Sequence, residues 1–347
     1  MLETRRGFVL GAGALMASSA VAAQPPPPRK VARVDGRPVR VIDIHGHCGF
    51  KEVEALVAGT PLAQTVAANL ILGPGRIAEM DRRGIDLQVL TVNTWWYAAD
   101  QALADRIVRL HDEKLAGAMA TYAGRFTALS SPALQFPELA ARQVERAVKE
   151  FGSKGAAIAG HVNGEPPTSA KYDPFWAKCQ DLDVPVFMHP NGAQNLIKPG
   201  VWGPRGVLDN SIGNPLETTF FLTRMIYDGV FDRFPRLRVC ASHGGGYLPS
   251  YMSRSEAICT YRQDAACTNR KPSGAYFRDQ ILVDSMVFSE EALRHLAAEV
   301  GAGQIVYGSD LPYPWPDTID TIARAKAFSA AQKRAMLSGN LERLLKL

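Results

Sequence analysis

From residue 31 onward the chain alternates two hydrophobic patterns. Short, near-continuous apolar or β-branched runs stand at 41–45, 85–92, 126–131, 155–159, 184–188, 238–242, 281–285 and 304–308. Between them, 100–123, 136–152, 171–182, 214–234 and 289–300 carry the three-to-four-residue apolar spacing of amphipathic helices. Strands without polar alternation are covered on both faces, and strands separated by helices run parallel. Eight such units predict an α/β fold, a closed (β/α)8 TIM barrel, in a single domain over 41–347. An open doubly wound sheet competes with it, but no Gly-x-Gly-x-x-Gly follows the first strand, where a dinucleotide site would need one. Two stretches rich in Gly, Pro and Asn, 49–75 and 190–214, are long connections after the first and fifth strands. In a barrel they overhang the mouth.

The first thirty residues break this pattern. Residues 1–23 read as an export signal: a positive start, a small-residue apolar stretch from Gly7 to Ala23, and a cleavage-like Ala20-Val21-Ala22. The pair Arg5-Arg6 before Gly7-Phe8-Val9-Leu10 resembles a twin-arginine signal, which carries already folded proteins across a bacterial inner membrane. The expected location is periplasmic. Residues 24–40, beginning Gln24-Pro25-Pro26-Pro27-Pro28, form a stiff spacer leading into the barrel. Beyond residue 23 no apolar run reaches 18 residues, so no stable membrane insertion is expected.

Composition narrows the partners. The 347 residues carry 39 Lys plus Arg against 34 Asp plus Glu, a formal +5. The basic residues are dispersed, with no run of five or more, which argues against nucleic acid. The five cysteines (48, 179, 240, 259, 267) show no Cys-x-x-Cys spacing, which excludes a zinc ribbon or thioredoxin-type site, and whether any of them pair stays open.

Four of the seven histidines fall at strand ends: His45 and His47 after the first, His189 after the fifth and His243 after the sixth. Asp310 follows the eighth. In a barrel the C-terminal strand ends build the active face. His45 and His47, two apart on a strand, share a face, and with His189 and anionic Asp310 they make a mixed nitrogen and oxygen donor set. Such a set suits zinc and tolerates manganese or iron. Trp95 and Trp202, near strand ends, read as walls of a flat aromatic pocket, with Trp315 in a Pro-bracketed loop. Cys48 should face away from the metal shell if strand alternation continues past His47. His111 and His295, inside helical patterns, read as surface or packing residues.

Taken together, Asp43-Ile44-His45-Gly46-His47, His189-Pro190, Ser242-His243-Gly244-Gly245-Gly246, Gly308-Ser309-Asp310-Leu311-Pro312 and Asn214-Pro215-Leu216-Glu217-Thr218-Thr219 resemble the amidohydrolase superfamily. The closest likeness is to its decarboxylase-like branch, which contains aminocarboxymuconate-semialdehyde decarboxylase and the resorcylate-type decarboxylases. The resemblance implies that His45, His47, His189 and Asp310 hold one divalent metal ion, zinc first and manganese second. It implies that His243 and Asp310 are the catalytic proton carriers. The fourth strand, Gly155-Ala156-Ala157-Ile158-Ala159-Gly160-His161, lacks the lysine that bridges two metals in binuclear members, so one metal is expected; His161 reads as a pocket residue or a polar strand terminus. Arg254, eleven residues past His243, matches an arginine donated across a dimer interface in relatives, which implies a homodimer. Residues 54–75 lack the arginine that holds the substrate carboxylate in aminocarboxymuconate-semialdehyde decarboxylases, so that substrate is not expected.

The implied activity is that of a carboxy-lyase acting without an oxidant on a small unsaturated or aromatic carboxylic acid. A hydrolase of a lactone or amide using the same site is the alternative. An exported binding protein that kept the barrel without turnover would lack a ligand or His243, and all are present.

Overall fold

Each of the eight apolar runs forms a strand. The computed structural model describes residues 29–347 apart from 194, 199 and 202–206. A short hairpin, β1 (Arg33–Val34) and β2 (Arg37–Pro38), precedes the barrel. Asp35 and Gly36 turn it, both at positive φ, as a tight two-residue hairpin requires. The second half of the expected spacer is thus built structure, with Ala32 and Val34 buried. The expected export signal lies outside the described residues.

The barrel strands are β3 (Ile42–His47), β4 (Leu87–Thr91), β5 (Phe126–Ala128), β6 (Ala156–Ile158), β7 (Val186–Met188), β8 (Val239–Ala241), β9 (Ile281–Asp284) and β10 (Ile305–Val306). They pair in parallel as two runs, β3-β4-β5 and β6-β7-β8-β9-β10. Backbone bonds close both seams. Ser130 bridges to Ala156, with Ser130 N donating to Gly155 O at 3.0 Å. Across the other seam Gly46 bridges to Leu311 and Ile44 N donates to Tyr307 O at 3.0 Å. A sheet closed this way has no free edge.

Strand periodicity sorts the apolar side chains into two clusters. Register sets Ala157, Phe187, Cys240 and Leu282 side by side, and they fill the barrel interior with Ile42, Leu87, Val89, Leu129 and Val306. Their chain neighbours, such as Ile158, Val186, Val239 and Ile281, face outward into a larger cluster with the helices. The helix Asn340–Leu345 plugs the base of the barrel with Leu341, Leu344 and Leu345.

The helices follow the amphipathic windows: Gln101–Thr121, Pro137–Phe151, Asp173–Asp181, Asn214–Tyr227 and Glu290–Val300. The expected helix 214–234 is broken at Gly229, whose φ of 68° is followed by a short second helix, Val230–Arg233. Cys259 and Cys267 form a disulfide at the end of the helix Leu248–Tyr261, while Cys48, Cys179 and Cys240 are free and buried. No helix among the described residues is long and apolar enough to cross a membrane.

Candidate metal centre

The pairing of β3 with β4 slips between Asp43 and Gly46. Ile44 packs in the interior cluster, yet the next residue, His45, also faces inward, its ring 5.3 Å from that of Phe187. The irregularity breaks the alternation at the point where the strand changes from core to mouth. His45 and His47 then share a face, as the spacing predicts, with their Nε2 atoms 3.1 Å apart. Asp310 Oδ1 lies 2.8 Å from His47 Nε2 and 3.2 Å from His45 Nε2. His189, from the end of β7, brings its ring centroid to 4.4 Å from that of His47. One ligand atom from each of His45, His47, His189 and Asp310 lies within 4.8 Å of all the others.

Three features show that this donor set fits a divalent cation. Atoms bound at about 2.0–2.2 Å from one centre are necessarily within about 4.4 Å of each other, close to the spread observed. Second, Asp284 Oδ2 sits 2.7 Å from His45 Nδ1. A proton held on Nδ1 toward that carboxylate leaves the Nε2 lone pair facing the centre, the usual outer support of a metal-bound imidazole. Third, positive charge is favoured there: burial opposes protonation of His45, but Asp310 and Asp284 outweigh it and raise its pKa to about 10. Burial and neighbouring imidazoles push His189 well down, so it presents a neutral nitrogen. Burial alone would raise Asp310, but the His45 charge and the two β3 imidazoles beside its Oδ1 hold it far below the carboxylate range.

The surrounding hydrogen bonds fix these donors. Trp315 Nε1 donates to Asp310 Oδ2 at 2.7 Å, which leaves Oδ1 for the centre. Gly308 is required by close approach, since a Cβ there would meet Asp284 Cβ at 2.9 Å and His45 Cβ at 3.1 Å. Behind the ligands, Asp43 accepts from His45 N (3.0 Å), Ser309 N (2.9 Å) and Gln88 Nε2 (2.7 Å). Gln88 Oε1 in turn accepts from the buried Arg76 at 2.8 Å, and Arg76 also donates to His47 O at 2.9 Å. This chain ties strands β3 and β4 to the segment after β10 and to the helix Pro74–Arg83.

His243 stands beside the donor set, its ring 5.3 Å from His45 and 5.4 Å from His189. Its φ is +56°, a conformation uncommon outside glycine, and its ring lies against those of His45 and His189. The glycines that follow make this turn possible: a Cβ on Gly246 would lie 2.3 Å from Pro215 O. Burial, then the His45 charge, lowers the pKa of His243 to about 4.

Two spaces open from the centre. The mouth, about 320 Å³, is lined by His189, Asp310, Tyr313 and the amides of Asn93, Asn191 and Asn214. A narrower slot of about 170 Å³ runs beside His47 between Phe50, Leu70 and Trp95, and Asn93 borders both spaces. Trp95 therefore lies where the sequence places it. Cys48 also borders the slot, its thiol facing Thr91 O at 3.6 Å and outside the donor set.

Other expected residues are placed differently. His161 is held in its own loop, accepting from Gly164 N at 3.0 Å, with its other nitrogen 3.3 Å from Gly192 O. It borders neither space. Arg254 is exposed on the helix Leu248–Tyr261, and this chain alone does not bring it to the site. Trp202 falls outside the described residues.

The sequence reading missed Asp284, Trp315's bond to Asp310, and Glu217. Asp284 carried a signal, an acid ending an otherwise apolar β9. Glu217 is buried on the helix Asn214–Tyr227, accepting from Gly160 N (2.9 Å) and Asn191 N (3.3 Å), and burial raises its pKa to about 7.

An eight-stranded barrel with a histidine pair on its first strand, a histidine on its fifth and an aspartate on its eighth defines a class of barrel enzymes built around a single divalent metal site. The amidohydrolase family profile matches residues 42–347, and the chain belongs to that family. It is 31% identical over 273 residues to 2-amino-3-carboxymuconate-6-semialdehyde decarboxylase of Dictyostelium discoideum, covering 76% of this chain and 74% of the relative. Gamma-resorcylate decarboxylase of Polaromonas sp. (strain JS666 / ATCC BAA-500) is 28% identical over 282 residues, covering 78% of this chain and 86% of the relative. Among solved structures, the dihydroxybenzoic acid decarboxylase from Polaromonas sp. JS666 with bound manganese and 2-nitroresorcinol superposes with a TM-score of 0.77 at 27% identity, covering 89% of this chain and 97% of that one.

Proposed function

We propose that this protein is a metal-dependent, non-oxidative decarboxylase of a small aromatic or unsaturated carboxylic acid. The observation that carries the reading is the convergence of His45, His47, His189 and Asp310 within 4.8 Å, with His243 beside them, at a mouth that adjoins a largely apolar slot at Asn93. The relatives that share this family act on acids of that kind by their names.

The four donors would hold one divalent cation, zinc by the three-nitrogen, one-oxygen set and manganese as the alternative. Bound there, it supplies Lewis acidity toward carboxylate or phenolate oxygens. The residues do the rest. Asp284 fixes the His45 tautomer, and Trp315 fixes the Asp310 carboxylate. His243, neutral in the resting site, accepts a proton from the substrate hydroxyl, leaving it as phenolate, or from water, and delivers it to the carbon that carried the carboxylate. The bond from that carbon to the carboxylate breaks, CO2 leaves, and the electron pair left on carbon takes the proton.

The decisive experiment loads the purified protein with zinc or manganese and measures CO2 release from a panel of hydroxybenzoates beside ring opening of lactones and amide cleavage. CO2 release alone supports the reading. Activity confined to lactones or amides rejects it in favour of hydrolysis.

Two further expectations belong to the same reading. The protein acts in the periplasm, to which the Cys259–Cys267 disulfide lends support, because such bonds persist in oxidising compartments. Replacing Arg5 and Arg6 by Lys together should retain the protein in the cytosol, which fractionation would read. It works as a homodimer, supported by the exposed Tyr251 on the same helix as the exposed Arg254. Light scattering reads the dimer, and Arg254→Ala should raise KM with kcat less affected if the partner's arginine reaches the substrate.

A further inference from the structure

We propose that the slot beside His47 receives the ring of the substrate, and that His111 at its wall recognises a neutral polar substituent remote from the carboxylate. This rests on the decarboxylase reading for what lies at the metal end, and not for what lies in the slot.

The slot is a place for a single ring. Its volume is about 170 Å³, and its walls include Phe50, Val53, Leu70 and Trp95. An apolar cavity of about 150 Å³ is enough to admit benzene. It starts at His47, a member of the donor set, and shares Asn93 with the mouth, so one molecule spans both. No lysine or arginine lines it among the described residues. The mouth carries no lysine or arginine either, so it is the cation its donors would hold that places the acid group there, on the decarboxylase reading, and leaves the neutral part of the substrate to the slot.

The wall also carries Gln64, Thr65 and Asn93, which are exposed or half-buried, whereas His111 is buried. It comes from the middle of the helix Gln101–Thr121 and is 2% exposed; the residue lines the slot, and its Nδ1, itself sealed from solvent, has no hydrogen-bond partner among the described residues. It is held among aromatic rings, with centroids 5.0 Å from Trp96, 6.2 Å from Phe50 and 6.3 Å from Trp95. A buried polar group left unpaired is destabilising, and leucine would serve the helix as well or better. A polar ligand atom in the slot would meet this ring without competing with a hydrogen bond to Nδ1 from within the protein. Burial lowers its pKa to about 3, so the imidazole is neutral and offers one donor and one acceptor. That pair suits a hydroxyl or amine and gives no charge to a second carboxylate. The substrate class is therefore a monocyclic aromatic acid carrying a hydroxyl or amine away from its carboxylate.

The test uses the metal-loaded, full-length protein and its His111→Phe and His111→Gln variants. With matched benzoates that differ only in a remote hydroxyl, His111→Phe should lower the preference for the hydroxylated member by at least tenfold in kcat/KM. Metal content should stay at one per chain, and His111→Gln should restore part of the preference. An unchanged preference in His111→Phe overturns the proposal. Should no benzoate be turned over, the decarboxylase reading fails separately, and the slot is read by binding. Phenol should then bind His111→Phe at least tenfold more weakly than the parent, by calorimetry or tryptophan fluorescence, with toluene binding both alike. Equal phenol binding, or no binding of either probe to the parent, overturns it. If His111→Phe does not fold, His111→Leu gives the same readout.

Discussion

The two ends of the barrel interior are built from the same eight strands and are chemically opposite. At the base, Ile42, Leu87, Leu129, Cys240 and Val306 meet Leu341, Leu344 and Leu345 of the last helix. At the mouth, His45, Asp284 and Asp310 are buried to nearly the same degree but are all ionisable. The base gains stability by removing apolar surface from water, about 25 cal/mol per Å². The mouth gathers carboxylates and imidazoles whose burial is unfavourable until each finds a partner. Stability and chemistry are thus separated along one axis, and a substitution at one end should leave the other property largely intact.

The largest effect expected on this division is His189→Ala. It should remove the metal and activity together, by about a thousandfold or more, and lower the unfolding temperature to that of the metal-free parent and little further; metal analysis, assay and calorimetry read the three. Retention of a full metal equivalent would break the assignment of the donor set. His243→Asn should keep the metal and lose about 10²–10⁴-fold in rate, the usual range for a positioned proton carrier. Near-normal turnover would remove His243 from the mechanism. Asp284→Asn keeps the shape of the outer support but alters its charge, and should weaken metal affinity about 10–100-fold in a chelator competition.

At the other end, Leu341→Ala should cost about 2–5 kcal/mol in denaturant unfolding and leave the rate per folded molecule unchanged. A parallel loss of kcat would show that the two ends are coupled. The smallest effect concerns Asp112, on the outer side of the barrel in the helix Gln101–Thr121. Burial raises its pKa from 3.8 to about 7, and Oδ2 has no hydrogen-bond partner. The folded state then holds this proton more tightly than the unfolded chain does. Its stabilising contribution is complete below about pH 4 and is lost as pH rises through 7. Asp112→Asn should therefore raise Tm by a few degrees at pH 8 and hardly at all near pH 4, as scanning calorimetry at the two values would show.

Much of the frame was legible because strand burial and helix amphipathicity are local signals. All eight runs became strands, and His45 and His47 share a face, as a spacing of two requires. His161 and Arg254 show the limit. A strand-end position names a rim residue without its orientation, and His161 is drawn aside by Gly164 and Gly192. Arg254 needs something beyond this chain. The pairing of Cys259 with Cys267 was undetermined because connectivity depends on how the chain folds back after its helix. His111 had the sequence signature of a packing residue, since helical periodicity reports that a side chain is buried and not that it borders a cavity.

What the sequence alone determined is the inventory and order of elements and the kinds of donor atom at the strand ends, because these depend on residues within a few positions of one another. The tertiary structure decided which distant groups meet. Closing the sheet brings β10 against β3, and only that closure sets Asp310 beside His47 and Ser309 beside Asp43. It also decided the supporting contacts of Asp284, Trp315 and Arg76 and the shape of the slot. These depend on the strand register, the slip within β3 and the helix packing, through distances that no local pattern encodes.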